Sequence, residues 1–218
     1  MVINLQRAGY TVVDVGCGED ALRVFDEANG DFDIALLDIM MPGIDGFQVC
    51  KTLRAKSNTL GIIMLSAKTQ EMDKVNGLMI GADDYVTKPF SPSELVARVD
   101  AIYRRVCMSE NTAHMPKVIE SGCFRLDQKS RTVSKNGEVI DLTQVEYQIM
   151  ELFLKNQNVA LDRNQILTEI WGDNYYGDIK IVDVNIRRLR MKVEEEPSNP
   201  KYIYTVWGYG YKWCGAAE

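Results

Sequence analysis

Three apolar runs of this chain each end in a different polar side chain. Ile34-Ala35-Leu36-Leu37 ends in Asp38, just before Met-Met-Pro-Gly; Ile62-Ile63-Met64-Leu65 ends in Ser66; and Asp84-Tyr85-Val86-Thr87 ends in Lys88. If the runs are parallel strands, all three groups project from one carboxyl edge, where open α/β sheets collect ligands and chemistry. A carboxylate, a hydroxyl and an ammonium at that edge can form and hold an acyl phosphate. The carboxylate is the nucleophile, the hydroxyl donates to a phosphoryl oxygen, and the lysine offsets its charge. A structural alternative has Lys88 simply paired with Asp38, because buried charges must find partners. The three positions together favour the chemical reading.

A second cluster lies in Ile-Arg-Arg-Leu-Arg-Met-Lys, residues 186–192, with four cations in seven residues. Val182, Ile186, Leu189 and Val193 recur at helical spacing as a buried stripe. Lys180, Val184, Arg187 and Met191 then point the opposite way, with Arg188 beside them. A cationic outward face on such a helix suits insertion into a DNA major groove. The alternative is a solvated basic face answering the acidic run Glu194–Glu196.

Alternating elements must position the first cluster. Thr11–Val15 reads as a strand and residues 19–28 as a helix; strand 34–37, a helix about 47–53, strand 61–67, a helix about 71–80 and strand 84–88 follow. Ser91-Pro92-Ser93-Glu94 starts a further helix that runs to about Val106. Such alternation indicates a parallel sheet covered by helices. Residues 107–117 are polar and aperiodic, a linker. Short strands at 124–126, 132–135 and 139–141 come next, the last two joined by an Asn136-Gly137 turn. Thr143-x-x-Glu146 and Asp162-x-x-Gln165 each open a helix. The basic helix spans about 179–195, and the terminal hairpin about Gly208 and Gly210 completes a winged helix-turn-helix.

Bulk properties exclude other classes. The chain has 218 residues, 46% hydrophobic and 26% charged, as in ordinary globular proteins. No apolar run approaches a membrane span and no signal peptide opens the sequence, so no membrane partner is expected. Five scattered cysteines without a CxxC pair suit the reduced thiols of a cytoplasmic protein. His114, the only histidine, sits in the linker and leaves little material for histidine-based metal or triad chemistry. Net charge is −6, with 11 Lys+Arg against 16 Asp+Glu in residues 1–116 and 14 against 15 in residues 117–218. The balance argues against indiscriminate nucleic-acid coating, and local clusters matter more for phosphate contact.

The segments LLDIMMPGIDGF, IIMLSAK, GADDYVTKPFSPSELVAR, LTQVEYQIMELF, VDVNIRRLR and TVWGYGYKW occur in the order found in two-component response regulators of the OmpR/PhoB family. The chain resembles that family over nearly its whole length. The resemblance implies an α/β, flavodoxin-like (CheY-like) receiver with a parallel sheet over residues 1–106, a linker at 107–117, and an α+β winged helix-turn-helix domain over 118–215. It casts Asp38 as phosphoacceptor, Ser66 as switch hydroxyl, Tyr85 as switch aromatic and Lys88 as phosphate-sensing lysine. Lys88–Pro89 is expected cis. Magnesium is implied, with Asp38 and the Met40 carbonyl as ligands. DNA contacts fall on Lys180, Asn185, Arg187, Arg188 and Arg190, with Thr205 and Tyr211 from the wing. A dimer face is implied at Lys74 with Glu94, Asp84 with Arg98, and Asp83 with Arg105, around Val75, Leu78 and Ala97. Implied partners are promoter DNA, a sensor histidine kinase, RNA polymerase at residues 172–178, and a second copy on activation.

Three departures from the family pattern stand out. Asn185 replaces a common histidine and Trp207 a common arginine, which bears on target sequence and wing contact. The family's first strand, with its magnesium-holding acidic pair, has no counterpart before Met1-Val-Ile-Asn-Leu-Gln. A fragment of a longer protein is the expectation, and a metal-independent, rearranged receiver is the alternative. The expected function is transcriptional regulation gated by aspartyl phosphorylation, not an enzyme. The alternatives are a phosphorylation-independent DNA-binding regulator and an aspartyl-phosphate phosphohydrolase.

Overall fold

The computed structural model describes residues 1–67, 80–107, 118–173, 175 and 177–215, with the side chains of 105–107 excepted. The chain forms two compact units, Met1–Glu110 and Asn111–Glu218.

The first unit contains α1 (Val2–Arg7), α2 (Gly18–Glu27), β1 (Ile34–Asp38), α3 (Gly46–Lys56), β2 (Gly61–Ala67), β3 (Asp84–Lys88) and α4 (Pro92–Cys107). The strands form a parallel sheet in the order β1-β2-β3. β2 is paired on both sides and buried from Gly61 to Ser66, which is why it reads as an unbroken apolar run. Leu65, Val86, Leu95, Val99 and Ile102 form the core between the sheet and α4, and Leu5 of α1 joins them. The start of α3 is fixed by Asp45, whose side chain accepts the Gln48 N–H at 2.8 Å. Ser91 accepts the Glu94 N–H at 3.1 Å at the start of α4.

Thr11–Val15 is not a strand, which corrects the sequence expectation. Its backbone has no neighbouring ladder among the described residues, and a strand exists only by pairing. The segment and β1 instead line an open groove of about 470 Å³ with Leu5, Phe25 and Tyr103. Val13 is left 55% exposed beside it. The helix expected at about 71–80 lies outside the described residues except for Ile80.

The second unit starts with an antiparallel sheet in the order β4 (Val118–Ser121), β5 (Phe124–Asp127), β6 (Thr132–Lys135), β7 (Glu138–Ile140). Asn136 and Gly137 turn between β6 and β7 with φ of 53° and 88°. Then come α5 (Gln144–Lys155), β8 (Ala160–Asp162), α6 (Arg163–Trp171), α7 (Lys180–Val193), β9 (Ile203–Val206) and β10 (Gly210–Trp213). Both capping boxes form reciprocally, Thr143 with Glu146 on α5 and Asp162 with Gln165 on α6. β4 and β8 were not apparent in the sequence; β8 is three residues long and exists by pairing with β10. Phe124 and Trp213 pack edge-to-face at 5.0 Å within the core, and Trp213 donates to Ser121 Oγ at 2.9 Å.

Candidate functional site

The strand register brings the first cluster together. Asp38 lies beside Leu65, Ser66 beside Thr87, and Lys88 beside Ala67, so all three stand at the carboxyl edge of one sheet. The Lys88 ammonium donates to Asp38 Oδ2, and the Met40 N–H donates to Asp38 Oδ1 at 3.1 Å. The carboxylate is about one-third exposed, open to a reactant from solvent. Gly46 lets the following loop close against the backbone at the end of β1, because a Cβ there would lie 2.2 Å from the Asp38 carbonyl oxygen. The Lys88–Pro89 bond is cis. Ser66 is buried, and its hydroxyl donates to the Ala67 carbonyl at 3.1 Å. Tyr85 is also buried.

The residues present do not fit a full magnesium shell. Both Asp38 oxygens already accept bonds, and the exposed Met40 offers only a backbone carbonyl. Glu19 reaches the same loop, where it accepts the Ile44 N–H at 3.1 Å. Among the described residues no three His, Cys, Asp or Glu side chains gather to hold a metal. Magnesium needs six oxygens in near-octahedral geometry and usually more than one carboxylate.

The second cluster divides into surface and scaffold. Lys180, Arg187 and Met191 are exposed along one face of α7. Val184 and Arg188 are buried, which corrects the outward placement read from helical angles. Arg188 meets the fully buried Glu146 at 3.0 Å, and Lys192 joins the same carboxylate at 2.6 Å. Burial works to raise the Glu146 carboxyl, but Arg188, Lys192 and the Thr143 N–H hold it below its ordinary value. Asn185 is buried as well and donates to the Ile181 carbonyl at 2.9 Å.

Arg190, Thr205 and Tyr211 form the joint between α7 and the β9–β10 hairpin. Arg190 donates to the Ile203 carbonyl at 2.6 and 3.0 Å and to Thr205 Oγ1 at 2.9 Å. The Tyr211 hydroxyl donates to Asp183 at 2.7 Å, and Arg163 pairs with the same carboxylate at 2.8 Å. Burial first, then the Asp183 bond, pushes the Tyr211 hydroxyl up to about 12. Glu194 finishes the joint, accepting the N–H groups of Lys201, Tyr202 and Ile203 at 2.8–2.9 Å. Glu146 and Glu194 were legible as a cap and as part of an acidic run, and neither pattern shows a link to a distant element.

The charges expected to pair across a dimer are largely engaged within the chain. Arg98 pairs with Asp84 at 3.0 Å and with Glu94 at 3.1 Å. Asp83 pairs with Arg54 at 2.7 Å and accepts the Ile62 N–H. Ala97 is exposed beside them. Lys74, Val75 and Leu78 lie outside the described residues, as does the Arg105 side chain. No described helix is long and apolar enough to cross a membrane.

Residues 1–100 match the response regulator receiver domain, and residues 137–213 match the family described as transcriptional regulatory protein, C terminal. The sensory transduction protein RegX3 of Mycolicibacterium smegmatis is 44% identical over 208 residues, covering 95% of this chain and 90% of the relative. An uncharacterized transcriptional regulatory protein of Bacillus subtilis, YcbL, is 42% identical over 209 residues, covering 95% and 91%. Among solved structures, a mutant of RitR superposes with a TM-score of 0.75 at 27% identity, covering 98% of this chain and 92% of that one. A carboxylate, a hydroxyl and an ammonium on one sheet edge, a cationic helix in the other unit and relatives matched nearly end to end lead to one assignment: this chain belongs to the two-component response regulators of the OmpR/PhoB type, DNA-binding regulators of transcription.

Proposed function

We propose that phosphoryl transfer to Asp38 controls how the second unit engages promoter DNA through α7. The carrying observation is the solvent-open Asp38 carboxylate held by Lys88 at the sheet edge. One carboxylate oxygen attacks the phosphorus of a kinase phosphohistidine; the P–O bond forms as the P–N bond breaks, and the imidazole nitrogen leaves with the electron pair. Lys88 then turns from carboxylate to phosphoryl oxygen and offsets one of roughly two negative charges added there. The role is regulatory, not enzymatic, and cytoplasmic. The test is phosphate-affinity gel mobility after incubation with a cognate kinase. A shifted band lost in Asp38→Ala is expected; a band that persists in that variant places the phosphoryl group elsewhere.

On the DNA side, Lys180 and Arg187 are exposed cations of α7 and reach the duplex directly, whereas Lys192, also exposed, is held by Glu146. Asn185, Arg188, Arg190, Thr205 and Tyr211 act by fixing the helix and hairpin. Arg187→Ala should weaken specific binding by about 1–3 kcal/mol if the contact is to a base edge. Unchanged affinity in gel-shift titration would remove α7 as the reading helix. Activated receivers pair around Ala97 and Glu94, with Asp84–Arg98 as the support beneath. Residues 172–178 are the segment offered to RNA polymerase.

A further inference from the structure

Trp207 is 91% exposed, the most exposed of the described large apolar side chains. Trp171 and Trp213 are 3% and 0% exposed. An indole is large enough that leaving it in water forgoes a substantial hydrophobic gain, which a partner surface laid on it would recover. Its place is fixed. It sits at the tip of the β9–β10 hairpin, where the Tyr209 N–H bonds the Val206 carbonyl and Gly208 takes φ of 72°. The hairpin is bound along the flank of α7 by Arg190, Tyr211 and Glu194. Residues 204–209, Tyr-Thr-Val-Trp-Gly-Tyr, contain no cation. Nearby Lys201 is paired with Glu195 at 3.1 Å, and Arg190 is engaged as described. Lys212, the cation of β10, stands opposite Tyr204, away from the turn, so residues 204–209 themselves present an aromatic surface and no phosphate-binding charge.

We propose that Trp207 is a specificity-determining residue that wedges against a deformable base step in the minor groove beside the α7 site. This rests on the reading of α7 as the helix in the major groove. With the helix there, a hairpin fixed to its flank meets the groove wall and the adjoining minor groove. An apolar wedge in that groove partly unstacks a base step, and flexible TA or CA steps yield most readily. Selectivity then comes from DNA deformability, without a charged contact and so without counterion release.

The full-length chain, titrated with a duplex it selects from a random pool, provides the test. Since only Trp207 is exposed, bound DNA should shield tryptophan emission from acrylamide. Trp207→Ala should lower affinity about tenfold and leave the salt slope unchanged. Replacing the flanking flexible step by G·C should cost the natural chain a similar factor and the Trp207→Ala chain little. Loss of binding in Arg187→Ala with full binding in Trp207→Ala overturns the proposal and spares the α7 reading. Full binding in both variants overturns both. Shielding that grows with protein concentration in the absence of DNA assigns Trp207 to a protein contact and overturns the proposal.

Discussion

Glu146 has no exposed surface, yet it stays ionised because three groups converge on it. Arg188 and Lys192 pair with the carboxylate, and the Thr143 N–H donates to it. One side chain thus caps α5 and anchors α7. Removing one member of a buried pair leaves the other uncompensated, at a cost of about 3–5 kcal/mol. Glu146→Ala should lower the urea midpoint of the second unit accordingly. The pH dependence has a definite sign. The folded carboxyl lies below its ordinary value, so its stabilisation is complete above the unfolded pKa of about 4.3. It is lost as pH falls through the folded value. Urea midpoints of the natural chain should drop with acid in that window, and those of Glu146→Gln should drop less. Equal acid sensitivity would assign the loss to other carboxylates.

Among the elements, β1 is an edge strand of its sheet, as β3 is: among the described residues it pairs with β2 alone. Its other edge borders the groove lined by residues 10–15, and a one-sided parallel strand opens more readily than a central one. The amides of Ile34–Asp38 should therefore exchange hydrogen faster than those of Ile62–Ser66. Hydrogen-exchange mass spectrometry reads the difference. Equal protection that falls on dilution would show a second copy covering the edge; equal protection at all concentrations would remove the account of β1 as an open edge. The consequence is functional, because Asp38 ends this strand and its precision depends on how firmly β1 is held.

For the whole molecule, two separate cores imply two separate unfolding events. Leu65 belongs to the core beneath the sheet of the first unit, and Phe153 to that of the second. Leu65→Ala and Phe153→Ala should each cost about 2–5 kcal/mol, and each should move only its own transition. DNA binding should follow the transition altered by Phe153→Ala. A single transition moved equally by both variants would show that the units unfold as one.

Whatever depends on neighbours a few residues apart was legible before folding. The capping boxes at Thr143 and Asp162, the turn at Asn136-Gly137 and the apolar stripe of α7 are local chemistry. The common edge of Asp38, Ser66 and Lys88 followed from strand periodicity and the short loops between elements. Which side chains remain available depends on packing between distant elements. Helical angles put Arg188 near the outward face, but Glu146 on another helix buries it. Asp84, the first residue of β3, and Arg98, well inside α4, meet within the chain although they lie fourteen residues apart. Thr11–Val15 has the composition of a strand and, among the described residues, no ladder to join. Periodicity sets the direction in which a side chain leaves its element, and the elements packed against that direction decide whether it meets solvent, a counter-charge or a partner.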